Sequence, residues 1–519
     1  MAYRGHRLGC THDDHPRIGR RRLLEAGGMS LFGLGLADLL RVEKQAAAAT
    51  TSSRATAKSV VFIFQSGGPS QHETWDPKPD APAEIRGEYG TTATRIGGYR
   101  ICEYLPKLAE RADRYSIVRT MHHPAPPQFR NEHSASMYMV QTGRCELPPG
   151  ETTNSIALPM PRRFEWPSLG SAIAYALGDG ASFGLPPVVE LPRANGRMPG
   201  DGPGMLGGKY TRWRVDLAPP CRTPDGGGSC PNCFAHDQPN NPARAPGKQM
   251  GAWWDNSSCR QPDFHLPDLG LSTGLSVENL QSRAELLADL DKFRRGLDSE
   301  PTMRNMEVYR RQAWDLILGQ KGKDNPFDLT QESDATRDLY GREEWGQAFL
   351  VARRLVEAGV RMVQVNLRGW DTHQNAFRDL KGHLLPSIDR CLSGFLDDLQ
   401  ARGLLDETLI VMCGEMGRTP RISPISATGK NTAGEPFTPG RHHWGDVFPC
   451  FFAGGGIQPG RVIGESDRFG GLPVSEAYSA ADLGATIFRC LGIDPDLEFH
   501  DLERRPHRIY QGRPIEALL

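Results

Sequence analysis

Residues 361–373 read Arg-Met-Val-Gln-Val-Asn-Leu-Arg-Gly-Trp-Asp-Thr-His. Apolar and β-branched residues alternate up to a Gly, and a carboxylate and an imidazole, Asp371 and His373, follow at once. A buried strand delivers ligands to the carboxyl edge of a sheet in this way. The pattern recurs twice. Residues 408–415 read as a strand ending in Gly414 and Glu415, and residues 440–446 hold His442 and His443 just ahead of another apolar run. Carboxylates and imidazoles at three strand ends can converge on one divalent cation, zinc, manganese or calcium. The alternative is a set of surface loop residues that never meet.

Helical spacing separates these strands. Residues 277–297, 303–318 and 342–358 carry apolar residues three or four apart, and 380–403 is amphipathic through Leu384, Ile388, Leu392, Phe395 and Leu399. Further strands are expected at 59–65, 116–119, 187–191 and 448–453, and a last helix at 480–491. Helices alternating with buried strands predict an α/β chain built on a mostly parallel sheet. The strands beginning at Ser59, Arg361, Thr408 and Phe448 are expected in that one sheet. Length, 519 residues, allows one large domain with insertions or two to three smaller ones. High counts of Gly (58) and Pro (41) predict long ordered loops.

Residues 193–267 change composition to Gly, Pro, Asn, Arg and Cys with little periodicity, and read as an inserted loop region. Cys221, Cys230, Cys233 and Cys259 lie in it, and the Cys230/Cys233 gap is that of a zinc knuckle. Structural zinc and disulfides are equally open, and at least three of the four are expected together. At the N-terminus, Arg20-Arg21-Arg22 precedes a weakly apolar, Gly-containing run and small residues up to Ala49. This predicts a twin-arginine export signal in 1–49, ahead of a mature chain at 50–519 in the periplasm or outside the cell. No other apolar run is long enough to span a membrane. Net charge is −1, with no long basic run beyond the first 25 residues, which argues against a nucleic-acid partner.

Two more stretches carry chemistry. The first strand breaks at Ser66-Gly67-Gly68-Pro69-Ser70, where small residues allow a tight turn and Gly67 and Gly68 offer backbone donors to an anion. A plain strand-to-loop turn explains the same residues. Residues 133–143 predict a helix closing at Gly143. Ser134 at its start is a candidate nucleophile where free amides favour an anion, or else an N-cap.

Gly67-Gly68-Pro69-Ser70-Gln71, Asp76-Pro77-Lys78-Pro79, Trp370-Asp371-Thr372-His373, Gly414-Glu415-Met416-Gly417-Arg418-Thr419-Pro420 and Arg441-His442-His443-Trp444-Gly445 together resemble the bacterial domain-of-unknown-function family 1501. That family looks like a branch of the alkaline phosphatase and sulfatase superfamily. The resemblance runs from about Ser59 to the C-terminus and implies a three-layer α/β/α sandwich. It also implies hydrolysis of a phosphate or sulfate ester at two metals, with a nucleophile on a helix N-terminus. Carried onto this chain, Asp371, His373 and one of His442 or His443 look like the ligands of one metal. Glu415 stands where the superfamily has an Asp followed by a His, and Met416 takes the second place. Ser66 stands where a metal-binding Asp is expected. Counting back from Thr142-Gly143 puts His133, not Ser134, at the nucleophile.

The expected activity is therefore metal-dependent hydrolysis of an anionic ester, a sulfated polysaccharide among the choices. Asp371, His373, Glu415, His442 and His443 are the candidate ligands, with His72 and His133 as substitutes. Ser134 or His133 is the candidate nucleophile, and Arg144 and Arg418 would stabilise charge on the equatorial oxygens. The rival reading is a non-catalytic protein whose degenerate site binds an anionic glycan or cell-surface ligand.

Overall fold

The seven residues Ser59–Gln65 are all buried and form the strand around which the sheet is laid, β1. The computed structural model describes residues 55–519 except 149, 153–154, 157–163, 179–184, 192–197, 216–324 (where only Asn279 and Ser282 are described), 424–437 and 502. The expected leader, the four cysteines of the expected insertion and nearly all of the expected helices at 277–297 and 303–318 therefore lie outside the described residues.

After β1 come β2 (Tyr115–Met121), β3 (Val188–Leu191), β4 (Trp213–Arg214), β5 (Met362–Leu367) and β6 (Thr408–Cys413). Two short strands follow, β7 (Gly417–Arg418) and β8 (His443–Trp444), then β9 (Phe448–Ala453) and β10 (Val462–Ile463). Eight of these make one sheet in the order β10-β2-β9-β6-β1-β5-β3-β4. β1 runs parallel to β5 and β6, β5 to β3, β3 to β4, and β10 to β2. Only β9 runs against its neighbours, β2 and β6. The four expected strands thus share one sheet, but the one at Phe448 is reversed.

Alternation along β1 sends side chains to two cores. Val61 and Ile63 meet one core, and Val60, Phe62 and Phe64 meet the other. Among the described helices that cover the two faces, the longer ones are α1 (His133–Thr142), α2 (Leu169–Leu177), α3 (Glu344–Glu357), α4 (Leu385–Ala401) and α5 (Ala480–Cys490). Phe349 and Leu350 of α3 and Leu392 and Phe395 of α4 pack on the first face. Met139 and Val140 of α1, Ile173 of α2 and Ile487 of α5 pack on the second. The result is a three-layer α/β/α arrangement.

Local sequence sets the helix ends. The Glu132 side chain caps α1 by accepting from the Ala135 amide at 3.1 Å, so Glu132 and not Ser134 is the cap. Gly143 closes α1 in the left-handed region (φ 62°). The 380–403 pattern divides into a π-helical turn at Leu380–Leu384 and then α4. Pro386 supplies no amide there, and the widened turn accommodates it. Among the described residues no helix is long and apolar enough to cross a membrane.

Candidate metal centre

The loops after β1 and β5 lie side by side because those strands are parallel neighbours. The Ser66 amide donates to the Leu367 carbonyl at 2.8 Å, and the Trp370 amide to the Ser66 carbonyl at 3.2 Å. Gly67 sits so close that a Cβ on it would come within 2.2 Å of the Asp371 amide nitrogen, at a φ of +114° that side chains disfavour. This backbone contact fixes where Asp371 emerges. His443 enters from the opposite sense. It pairs with Arg418 across β7 and β8, just before β9 begins. Because β9 is reversed, its start lies at the edge where β5 and β6 end. Residues that follow one strand thereby meet residues that precede another.

Three imidazoles converge on one carboxylate, two of them on the same oxygen. His373 Nε2 lies 3.0 Å and His443 Nε2 3.3 Å from Asp371 Oδ1, and the two nitrogens are 2.8 Å apart. His133, the first residue of α1, places Nε2 3.3 Å from the other oxygen, Oδ2. Ligand atoms of these four residues all lie within 4.8 Å of one another.

The opposite ring nitrogens show which atoms are free. His443 Nδ1 lies 3.0 Å from the Asn131 carbonyl, which only accepts, so Nδ1 carries a proton and Nε2 is bare when the ring is neutral. His133 Nδ1 is 2.7 Å from Glu415 Oε1, with the same consequence when the ring is neutral. His373 Nδ1 meets His442 Nδ1 at 2.9 Å, and His442 Nε2 meets Ser423 Oγ at 3.0 Å. A proton passed along that chain again leaves His373 Nε2 bare. Lone pairs set 2.8 Å apart repel unless a cation lies between them. Tetrahedral zinc, with bonds of about 2.0 Å, spaces its ligands by about 3.3 Å. The donor set, imidazole nitrogens and one carboxylate each held from behind, fits a divalent cation.

Without a metal, protons do the same work. Loss of water alone would push the Asp371 carboxyl up, but bonds from His133, His373 and His443 and the Arg418 guanidinium hold it far below the usual range. Loss of water likewise pulls His133 down, and the Asp371 and Glu415 carboxylates outweigh this, raising it to about 10. A cation binding Asp371 would displace the proton shared there.

Several expected residues are placed differently. Glu415 is wholly buried and touches the cluster only through His133; its oxygens accept from the Gly67 amide at 2.9 and 3.0 Å and from His133. It stands behind His133, outside the four residues whose ligand atoms lie together. His442 likewise stands behind His373. The Gly67 amide is thus taken, and the Gly68 amide donates to the Gln65 carbonyl at 3.2 Å, so the turn offers neither to an anion. Its glycines serve close packing. Arg418 is also fully buried, giving Nε to the Gly68 carbonyl (2.9 Å), Nη1 to the Arg441 carbonyl (3.1 Å) and Nη2 to Asp371 Oδ1 (2.5 Å). Its fork fastens loops and is not open to an ester.

Arg144 lies past the far end of α1, roughly 15 Å along the helix from His133, with its guanidinium 3.8 Å over the Trp166 ring. Ser134 is half-buried and leaves the helix roughly 100° around the axis from His133. His72 is buried with Nε2 at 2.8 Å from the Phe469 carbonyl, and stays outside the cluster. Asn131, Ser423 and the Glu73–Arg441 pair were not foreseen. Asn131 and Arg441 each stand within two residues of an imidazole of the cluster, which is the one signal the sequence carried.

No curated protein matches the chain. Among solved structures it is similar to a phosphonate monoester hydrolase from Silicibacter pomeroyi (14% identity, 88% of this chain and 76% of that one, TM-score 0.30). It is similar also to a sulfatase from Pseudoalteromonas sp. (12%, 88% and 71%, TM-score 0.31). A third is the alkaline phosphatase from the Antarctic bacterium TAB5 (11%, 84% and 98%, TM-score 0.31). The family model of proteins of unknown function DUF1501 matches residues 57–519, and the chain belongs to that family.

Proposed function

We propose that this protein is an exported, metal-dependent hydrolase of phosphate or sulfate esters, with Asp371, His373 and His443 holding the cation. The observation that carries the reading is the convergence of His373 Nε2 and His443 Nε2 on Asp371 Oδ1 at 3.0 and 3.3 Å, each imidazole supported through Nδ1. Three protein ligands leave a position open, as catalytic sites require. A divalent cation held there supplies Lewis acidity, drawing charge from an ester oxygen. The remaining work belongs to the chain itself. Arg418 fixes the direction of Asp371, and the Asn131 carbonyl and His442 fix the tautomers of His443 and His373. Glu415 fixes His133, whose Nε2 faces the same space.

One observation favours the rival, a binding protein for an anionic glycan: Arg418 and the Gly67-Gly68 turn, the groups expected to grip the ester, are spent on internal bonds. The test is the zinc- or manganese-loaded protein assayed on para-nitrophenyl phosphate and para-nitrophenyl sulfate. Stoichiometric metal with turnover, both lost in Asp371→Ala, supports the hydrolase. Bound metal with no turnover of either ester supports the binder. For export, Arg20→Lys with Arg21→Lys should retain the protein in the cytoplasm, and unchanged export would mean a leader of another kind.

A further inference from the structure

We infer that Cys413 and Cys450 are a redox pair that closes into a disulfide across the central sheet, tying β6 to β9 by exchange with an external disulfide. The inference stands apart from the hydrolase reading. The two strands are antiparallel neighbours, with Phe451 opposite Met412 and Phe452 opposite Val411. Continuing that register by one residue sets Cys450 opposite Cys413. Both side chains belong to the core that Val60, Phe62 and Phe64 meet, so they leave the sheet on the same face. Residues opposed in an antiparallel pair stand about 4.5–5.5 Å apart at Cα, inside the about 4.4–6.8 Å that a disulfide spans. The Cys413 side chain acts directly on the Cys450 thiol.

No other two described cysteines are placed this way. Cys391 and Cys490 lie on α4 and α5, Cys102 ends a short strand outside the sheet (Arg100–Cys102), and Cys145 lies on no helix or strand. A single buried thiol packs as a small apolar group and calls for no further account, whereas two facing each other on one rung can bond. The bond would close residues 413–450 into a loop. One end lies just before Glu415, which holds His133, and the other in the strand that follows His443. It would therefore tie together two of the segments that build the candidate metal centre.

The oxidant is a second disulfide, supplied outside the cytoplasm by a thiol–disulfide oxidoreductase. One cysteine gives its proton to solvent, and its thiolate attacks a sulfur of that disulfide, expelling the other sulfur as a thiolate and leaving a mixed disulfide. The second cysteine, deprotonated in turn, attacks the sulfur of the first and expels the remaining thiolate. Two electrons pass from the cysteine pair to the oxidant, and the two released thiolates take up two protons. In the folded chain both residues are buried, and burial and the neighbouring Cys413 thiol push the Cys450 thiol well above its ordinary range. Exchange is therefore fast while β9 is unseated and slow once it is in place.

The experiment takes the purified full-length protein in oxidised glutathione, one sample kept native and one unfolded in urea and diluted back. Alkylation, digestion and peptide mass spectrometry follow. The expected result is a peptide holding Cys413 joined to one holding Cys450, lighter by two hydrogens than the pair of thiol peptides, and appearing faster in the refolded sample. The oxidised protein should melt about 2–5 °C above its reduced form, a shift that the double variant Cys413→Ala, Cys450→Ala lacks. If that variant does not fold, Cys413→Val, which fills the same core site, serves the same comparison. Both thiols alkylated and unjoined in the two samples would overturn the inference. A joined peptide in a protein that melts below its reduced form would overturn it too, since the bond would then be foreign to the native sheet.

Discussion

Arg441 and Glu73 form an ion pair at 2.6 Å with their side chains only 1% and 2% exposed, from segments on either side of the site. Arg441 also donates to the Ile85 carbonyl at 2.7 Å and to the Thr419 and Pro420 carbonyls. It directly precedes His442 and His443, so this fork holds the segment that brings them in. Arg441→Ala strands a buried carboxylate, and should cost about 3–5 kcal/mol in a urea melt and lower metal content. A loss under about 1 kcal/mol would show that water or a neighbour replaces the guanidinium.

His442 sets the tautomer of His373 from behind. His442→Ala should therefore weaken zinc binding about 10–100-fold in a chelator competition while leaving the melting curve of the metal-free protein nearly unchanged. An unaltered affinity would mean that His373 is held by its own loop.

In the metal-free protein, pH should act through two opposed shifts. His133 is raised in the folded state to about 10, so its contribution is complete below its unfolded value near 6.5 and is lost as pH climbs from there towards 10. Asp371 is depressed, so its contribution is complete above about 4 and fades on acidification. The thermal midpoint should thus peak between about pH 4 and 6.5. Asp371→Asn should flatten the alkaline limb, and zinc should stabilise more strongly above about pH 6.5, where it competes with fewer protons. A midpoint flat from pH 6 to 10 in the wild type, conditions of about that range being otherwise benign, would contradict the raised His133.

Gly67→Ala would set a methyl group against the Asp371 backbone at a positive φ. Since backbone must shift to admit it, the variant should lose about 1–3 kcal/mol and bind zinc measurably less tightly, read by denaturation and by metal analysis. Wild-type affinity in this variant would mean that the Asp371 loop tolerates displacement.

The fold and half the site could be read from residue order, for definable reasons. A β-branched run closed by Gly369 and followed by Asp371 and His373 leaves little freedom about where those side chains emerge. Glu415 follows a strand in the same way, yet its oxygens turn inward because the Gly67 amide, some 350 positions earlier, needs an acceptor. Nothing local to Glu415 reveals that demand. His442 and His443 are adjacent, and neighbours on an extended chain point to opposite sides, so one meets Asp371 and the other stands behind His373. Which of them does so depends on the pairing of β8 with β7. The reversal of β9 was equally hidden, because an apolar run has no direction written in its composition.

That reversal governs when the centre can come into being. β9 lies between β2 and β6, so it must insert beside strands made long before it on the ribosome. Until Phe448–Ala453 has emerged and found its register against Tyr115–Met121, His443 has no fixed place near Asp371. Capture of a cation would then report the insertion of β9 into the sheet, and a chain halted before residue 443 would hold its first three imidazole and carboxylate partners with nothing to complete them.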